Sequence, residues 1–109
     1  MTVEQICTKA QFSPAAMPQP ERKVEGIYIG DLLSWVMGRA KENDAWITIM
    51  SNINVVAVAA LSDVSCVVLA EDVKLTDDVI EKAIEKGINI LYSSLPAFET
   101  SERIHSLIK

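Results

Sequence analysis

A chain of 109 residues with 50% hydrophobic content suits one compact domain that buries roughly two-thirds of its unfolded surface, with no room for a second. Its formal net charge of −5 opposes a phosphate backbone, which selects clustered basic surface, so nucleic acid is not an expected partner. The longest apolar run, Val55 to Leu61, is far shorter than the ~20 residues of a membrane span; with no basic-then-apolar leader, a cytoplasmic domain over 1–109 is expected.

In chain order, Glu4 to Phe12 reads as a short strand carrying Cys7. Residues 13–25 hold Pro14, Pro18 and Pro20 among polar residues and read as a loop, because proline removes backbone donors and fixes φ. Ile27 to Ile29 is a brief strand. Gly30-Asp31 then turns the chain, and Asp31 is placed to cap the orphan amides of a helix from Leu32 to Ala40. Arg39 and Lys41, at the end of that helix, suit its negative pole.

Glu42-Asn43-Asp44 is a turn and Trp46 to Met50 a second strand, rich in β-branched and aromatic residues. Ser51 to Ser62 is apolar on every side, so periodicity alone does not separate strand from buried helix. Length, the cap oxygens of Ser51 and Asn52, and the nearness of the next strand, Cys66 to Ala70, select a crossover helix. Cys66 and Cys7 share no metal-ligand spacing and read as structural thiols.

From Glu71 to Lys86 six carboxylates meet three lysines, the composition of a solvated helix face. Leu75 to Gly87 is the clearest helix, with Thr76 as cap, Asp77 and Asp78 at the positive pole and Gly87 as terminator. Asn89 to Tyr92 is another strand, and Pro96 opens a closing helix through Ile108.

Alternation of strands and helices implies a three-layer α/β/α sandwich around a small, mostly parallel sheet. In such sheets ligands sit outside the strands' carboxyl ends, where helix amides converge. The residues expected there are Gly30, Asp31, Ser51, Asn52, Asn54, Glu71 and Ser94. Asn52 and Asn54 both donate and accept, which suits a nucleobase, sugar or peptide group; Glu71 suits a sugar hydroxyl. His105, the only histidine, has no neighbouring nucleophile in sequence and reads as structural. No catalytic constellation, metal site or cofactor motif is present in the sequence, and no enzyme activity is expected.

Tyr28-Ile29-Gly30-Asp31-Leu32-Leu33 and Trp46-Ile47-Thr48 carry a resemblance to the DRTGG domain family, which extends from Glu21 to Leu107. The letters that name the family fall on Glu21, Arg22, Glu25, Gly26 and Ile27, of which Arg22 and Gly26 agree. The family is similar to the N-terminal domain of HPr kinase/phosphorylase, but the GxxxxGK[ST] phosphate loop of kinase chemistry is absent from this sequence. The resemblance implies a non-catalytic regulatory or sensory module, with a nucleotide as the kind of small-molecule ligand. The alternative it implies is an interaction module serving a partner enzyme or kinase, since members resembling this short form accompany histidine-kinase-like and iron hydrogenase proteins.

Self-association is expected from the first predicted helix after the proline-containing loop. At 100° per residue, Leu32, Leu33, Trp35, Val36, Met37 and Ala40 spread over about 200°, roughly twice what one face against a sheet requires. The surplus either lies under residues 13–25 or pairs with the same helix of a second subunit, with Trp35 as the anchor of a homodimer.

Overall fold

The structure, a computed structural model, describes Met1 to Lys109. It opens with a helix, α1 (Val3–Lys9), where a strand was expected. Thr2 and Gln5 form a reciprocal capping box: the Thr2 hydroxyl accepts from the Gln5 N–H at 3.2 Å and Gln5 Oε1 accepts from the Thr2 N–H at 2.9 Å. Val3, Ile6, Cys7 and Ala10 are all buried, at the helical spacing that places them on one face. The proline-containing segment is also more ordered than a loop, since its first residues form a strand, β1 (Ser13–Ala16).

The remaining elements follow the expected order. They are β2 (Gly26–Ile29), α2 (Leu33–Arg39), β3 (Asp44–Thr48), α3 (Asn54–Ser62), β4 (Cys66–Leu69), α4 (Asp77–Lys86), β5 (Ile90–Tyr92) and α5 (Ala97–Ile108). One five-stranded sheet has the order β1-β5-β4-β3-β2. β2, β3, β4 and β5 are parallel, and only β1 runs antiparallel, against β5. The apolar run 55–61 is helix, as its length and the short distance to β4 require.

Because β2 to β5 are added in sequence order toward one side, their three crossover helices lie on one face. There Val36 of α2, Val55, Val56 and Ala59 of α3, and Val79 and Ala83 of α4 pack on Trp46, Val67, Leu69 and Ile90. On the other face, Val3, Ile6 and Cys7 of α1 and Ile104 of α5 pack on Ala45, Ile47, Cys66, Val68 and Leu91. β3 and β4 are buried along their whole length, which is why they read as continuous apolar runs rather than alternating ones. The Trp46 indole is fully buried, and its N–H is satisfied by the Gly30 carbonyl at 2.8 Å, so this ring belongs to the core.

Candidate functional site

The strand carboxyl ends hold the residues predicted to meet a ligand, but several have local partners. The Asp31 carboxylate accepts from the Thr48 hydroxyl at 2.7 Å and from the Ile49 N–H at 3.0 Å. It therefore ties the ends of β2 and β3 together and does not cap α2, whose N-cap is Leu32 without a side-chain bond. Gly30 is likewise engaged, donating to the Ile47 carbonyl and accepting from Trp46. α3 starts after Ile53 with no side-chain cap. Asn52 instead accepts from the Asn54 N–H at 2.9 Å, a local turn that precedes the helix, and Ser51 makes no capping bond.

The loops carrying Glu71 and Ser94 lie where successive connections leave the sheet toward opposite faces: β4 leads to α4 on one side and β5 leads to α5 on the other. A divergence of this kind opens a ligand crevice in doubly wound sheets. Here the two loops are stitched together, the Glu71 N–H to the Leu95 carbonyl at 2.9 Å and the Asp72 N–H to the Ser93 carbonyl at 3.0 Å. The turn needs two consecutive left-handed residues, Glu71 at φ 60° and Asp72 at φ 63°, a conformation costly for residues with a Cβ. Ser93 is buried and bonded to Thr100 at 2.8 Å, whereas Ser94 is exposed.

Electrostatically this end is acidic. Asp31, Glu71, Asp72, Asp77 and Asp78 lie at this end, where Lys74 pairs with Asp72 at 3.1 Å and lies over the Tyr92 ring. The Thr76 hydroxyl donates to the Asp78 carboxylate and holds it below the usual carboxylate range. Of the seven predicted ligand residues only Asn54 lines a cavity, a groove of about 500 Å³ between α3 and α4 floored by Ile53, Ala57 and Leu61 and edged by Lys82 and Lys86.

The opposite end of the sheet is cross-linked by side chains that pattern reading passed over. Arg22 donates to the Asp63 carboxylate at 3.0 Å, to the Asp63 carbonyl at 2.8 Å and to the Asn43 side-chain carbonyl at 2.9 Å. Asn43 and Asp63 are both left-handed, at φ 70° and 54°, so one guanidinium holds two strained turns. Gly26 leaves room for the neighbouring strand, since a Cβ there would come within 2.5 Å of an Asp44 carboxylate oxygen. Asn89, buried, receives the Gln19 N–H at 2.9 Å and donates to the carbonyls of Gln19 at 2.7 Å and Ser65 at 3.0 Å. The available signal was a lone arginine in a proline-containing segment, with Asn and Asp at turn positions that favour the left-handed region.

Neither thiol is positioned for chemistry. Cys7 and Cys66 are free and buried, and burial pushes the Cys66 thiol up to about 12, so it stays protonated at neutral pH. His105 shares a groove of about 570 Å³ with Ser101 and Glu102. The Ser101 hydroxyl, however, donates to the Phe98 carbonyl at 2.7 Å rather than to the imidazole. No three His, Cys, Asp or Glu side chains are grouped to hold a metal, and no helix is long and apolar enough to cross a membrane.

No curated protein matches the chain. A solved structure of the CBS and DRTGG domains of the regulatory region of Clostridium perfringens pyrophosphatase, complexed with the activator diadenosine tetraphosphate, has the same fold. It aligns with a TM-score of 0.74 at 14% identity, over 94% of this chain and 45% of that one, so this chain spans less than half of that region. The DRTGG domain family model matches residues 9–107, from the end of α1 to the last turn of α5, and the chain belongs to the DRTGG domain family.

Proposed function

We propose that this domain is a regulatory module without catalysis of its own, working in the cytoplasm as a homodimer and reading a small ligand at the carboxyl ends of its strands. The observation that supports it most is the outer surface of α2. Val36 is the only fully enclosed residue of that helix, while Leu32, Trp35 and Met37 lie open, Trp35 at 52% exposure. Its one close cover is the Arg39 guanidinium, 3.7 Å from the ring centroid, which leaves apolar surface for a second subunit to remove from water. The regulatory reading is supported by family membership and by the regulatory region in which the related pyrophosphatase domain lies.

The chemistry of the strand ends narrows the ligand. Asn54, Glu71 and Ser94 carry exposed polar side chains, while the surrounding carboxylates repel phosphate. A nucleoside, or the base and ribose of a nucleotide, fits this surface better than a triphosphate. Two measurements test the reading. Light scattering at micromolar concentration should give twice the 12.0 kDa chain mass, and Trp35→Glu should give a folded monomer; a wild-type monomer at high concentration refutes the dimer. In a thermal-shift series adenosine should raise the melting temperature more than ATP, and no shift with any nucleoside or nucleotide refutes the ligand.

A second reading, an interaction module for a partner enzyme or kinase, is favoured by the α3–α4 groove. The outward residues Ile53, Ala57, Ala60 and Leu61 are uncharged, with Leu61 75% exposed, and Lys82 and Lys86 form the rim. That pattern fits an amphipathic helix with acidic flanks. Charge reversal at both lysines should abolish binding of such a helix and leave the dimer intact.

A further inference from the structure

The two edges of the sheet are built differently. β1 contains Pro14, and its register against β5 slips between Pro14 and Ala16; both features blunt an edge against a further strand. β2 is Gly26-Ile27-Tyr28-Ile29, without proline or charge, in even register with β3. Gly30 donates its N–H to the Ile47 carbonyl. Strand alternation therefore turns the backbone groups of Tyr28 toward β3 and those of Ile27 and Ile29 outward, where no strand follows.

Helices bracket this open edge on both faces. α5 packs over β2 and β3 on one side, leaving a groove of about 570 Å³ along Ile27, Ile29 and Phe98. On the α2 side a second groove, of about 530 Å³, runs along Tyr28 and Arg39. Ile29 and Phe98, 49% and 69% exposed, add apolar surface on the α5 side to that of Leu32 and Trp35 beside α2.

We infer that the free edge of β2 pairs antiparallel with β2 of a second copy about a twofold axis, joining the two sheets and setting α2 and α5 each against its counterpart. The inference rests on the dimeric reading above and adds the surface that forms it. A lone peptide strand on a four-residue edge would leave Trp35 and Phe98 uncovered, whereas a second copy that sets α2 against α2 and α5 against α5 covers both. The size is adequate: molecular extents of 30 × 26 × 25 Å leave a side broad enough for the ~800 Å² per partner of a stable interface.

The test is hydrogen–deuterium exchange on the full chain at two concentrations, beside light scattering on Ile29→Pro. The amides of Ile27 and Ile29 should slow as the dimer populates. Ile29→Pro, which replaces only an outward N–H and a half-exposed side chain, should weaken the dimer by about 100-fold. If the wild type is dimeric and loses its dimer in Trp35→Glu, yet both amides exchange equally fast at the two concentrations, edge pairing is wrong and an interface on α2 alone stands. A wild type that stays monomeric overturns both. Should Ile29→Pro fail to fold, the exchange data on the wild type decide.

Discussion

The two ends of the sheet use polar residues in opposite ways. At the amino ends of the parallel strands, Arg22, Asn43, Asp63 and Asn89 are bound into a network that fastens residues 19–25 to the turns of the sheet. At the carboxyl ends Asp31 and Ser93 are similarly engaged, but Asn54, Glu71 and Ser94 project into solvent. Left-handed non-glycine residues occur at both ends: Asn43 and Asp63 at the first are clamped by one guanidinium, whereas Glu71 and Asp72 at the second are held by backbone N–H bonds and by the exposed Lys74–Asp72 ion pair. Arg22 and Gly26, on which the sequence pattern places letters of the family's name, belong to the fastened end. The difference teaches that residues aligned with a family's signature can be scaffold, while the unengaged polar side chains lie across the sheet.

Substitutions at the fastened end should cost most. Asn89→Ala removes one hydrogen bond each from the Gln19 N–H and from the Gln19 and Ser65 carbonyls, and a denaturant titration should record a loss of about 3 kcal/mol. Gly26→Ala should cost about 2 kcal/mol because its Cβ meets the Asp44 carboxylate at 2.5 Å. Truncating Asp44 in that background should recover part of the loss, and strictly additive costs would contradict the close approach. Arg22→Ala should cost about 1–2 kcal/mol, with most of it retained in high salt, since two of its three acceptors are uncharged oxygens.

The carboxyl end should respond more weakly. Asp31→Ala is expected to cost about 1 kcal/mol. A cycle with Thr48→Val should show coupling, because the carboxylate bonds that hydroxyl; a carboxylate acting only as a helix cap would give none. Glu71→Gly should change stability by less than about 0.5 kcal/mol or raise it slightly, as glycine relieves the left-handed strain at φ 60° while loosening the unfolded chain. A loss at Glu71 as large as that at Arg22 would erase the contrast between the ends.

Much of the fold was legible in local pattern. β3, β4 and β5 follow from short apolar runs bounded by turns, and α4 from its acidic first turn, its Lys86 and the left-handed Gly87. α1 was missed although Thr2 and Gln5 spell its capping box and Val3, Ile6, Cys7 and Ala10 its face, because a nine-residue run with a cysteine and an aromatic residue also suits a strand. The site was less legible. Asp31 sits where a cap belongs, yet the Thr48 hydroxyl and the Ile49 N–H, at the end of the neighbouring strand, donate to it instead.

Periodicity, caps and turn residues by themselves determined the parallel α/β order and an over-wide apolar α2, since each depends on contacts within a few residues of the chain. Tertiary structure alone decided which polar groups are engaged and which are free. The Arg22 bonds to Asp63 span 41 residues and the Asn89 bonds to Gln19 span 70, and the closure between the β4 and β5 loops is made by backbone groups that every residue type carries. Side-chain identity cannot announce a partner that only the folded chain brings within hydrogen-bonding distance.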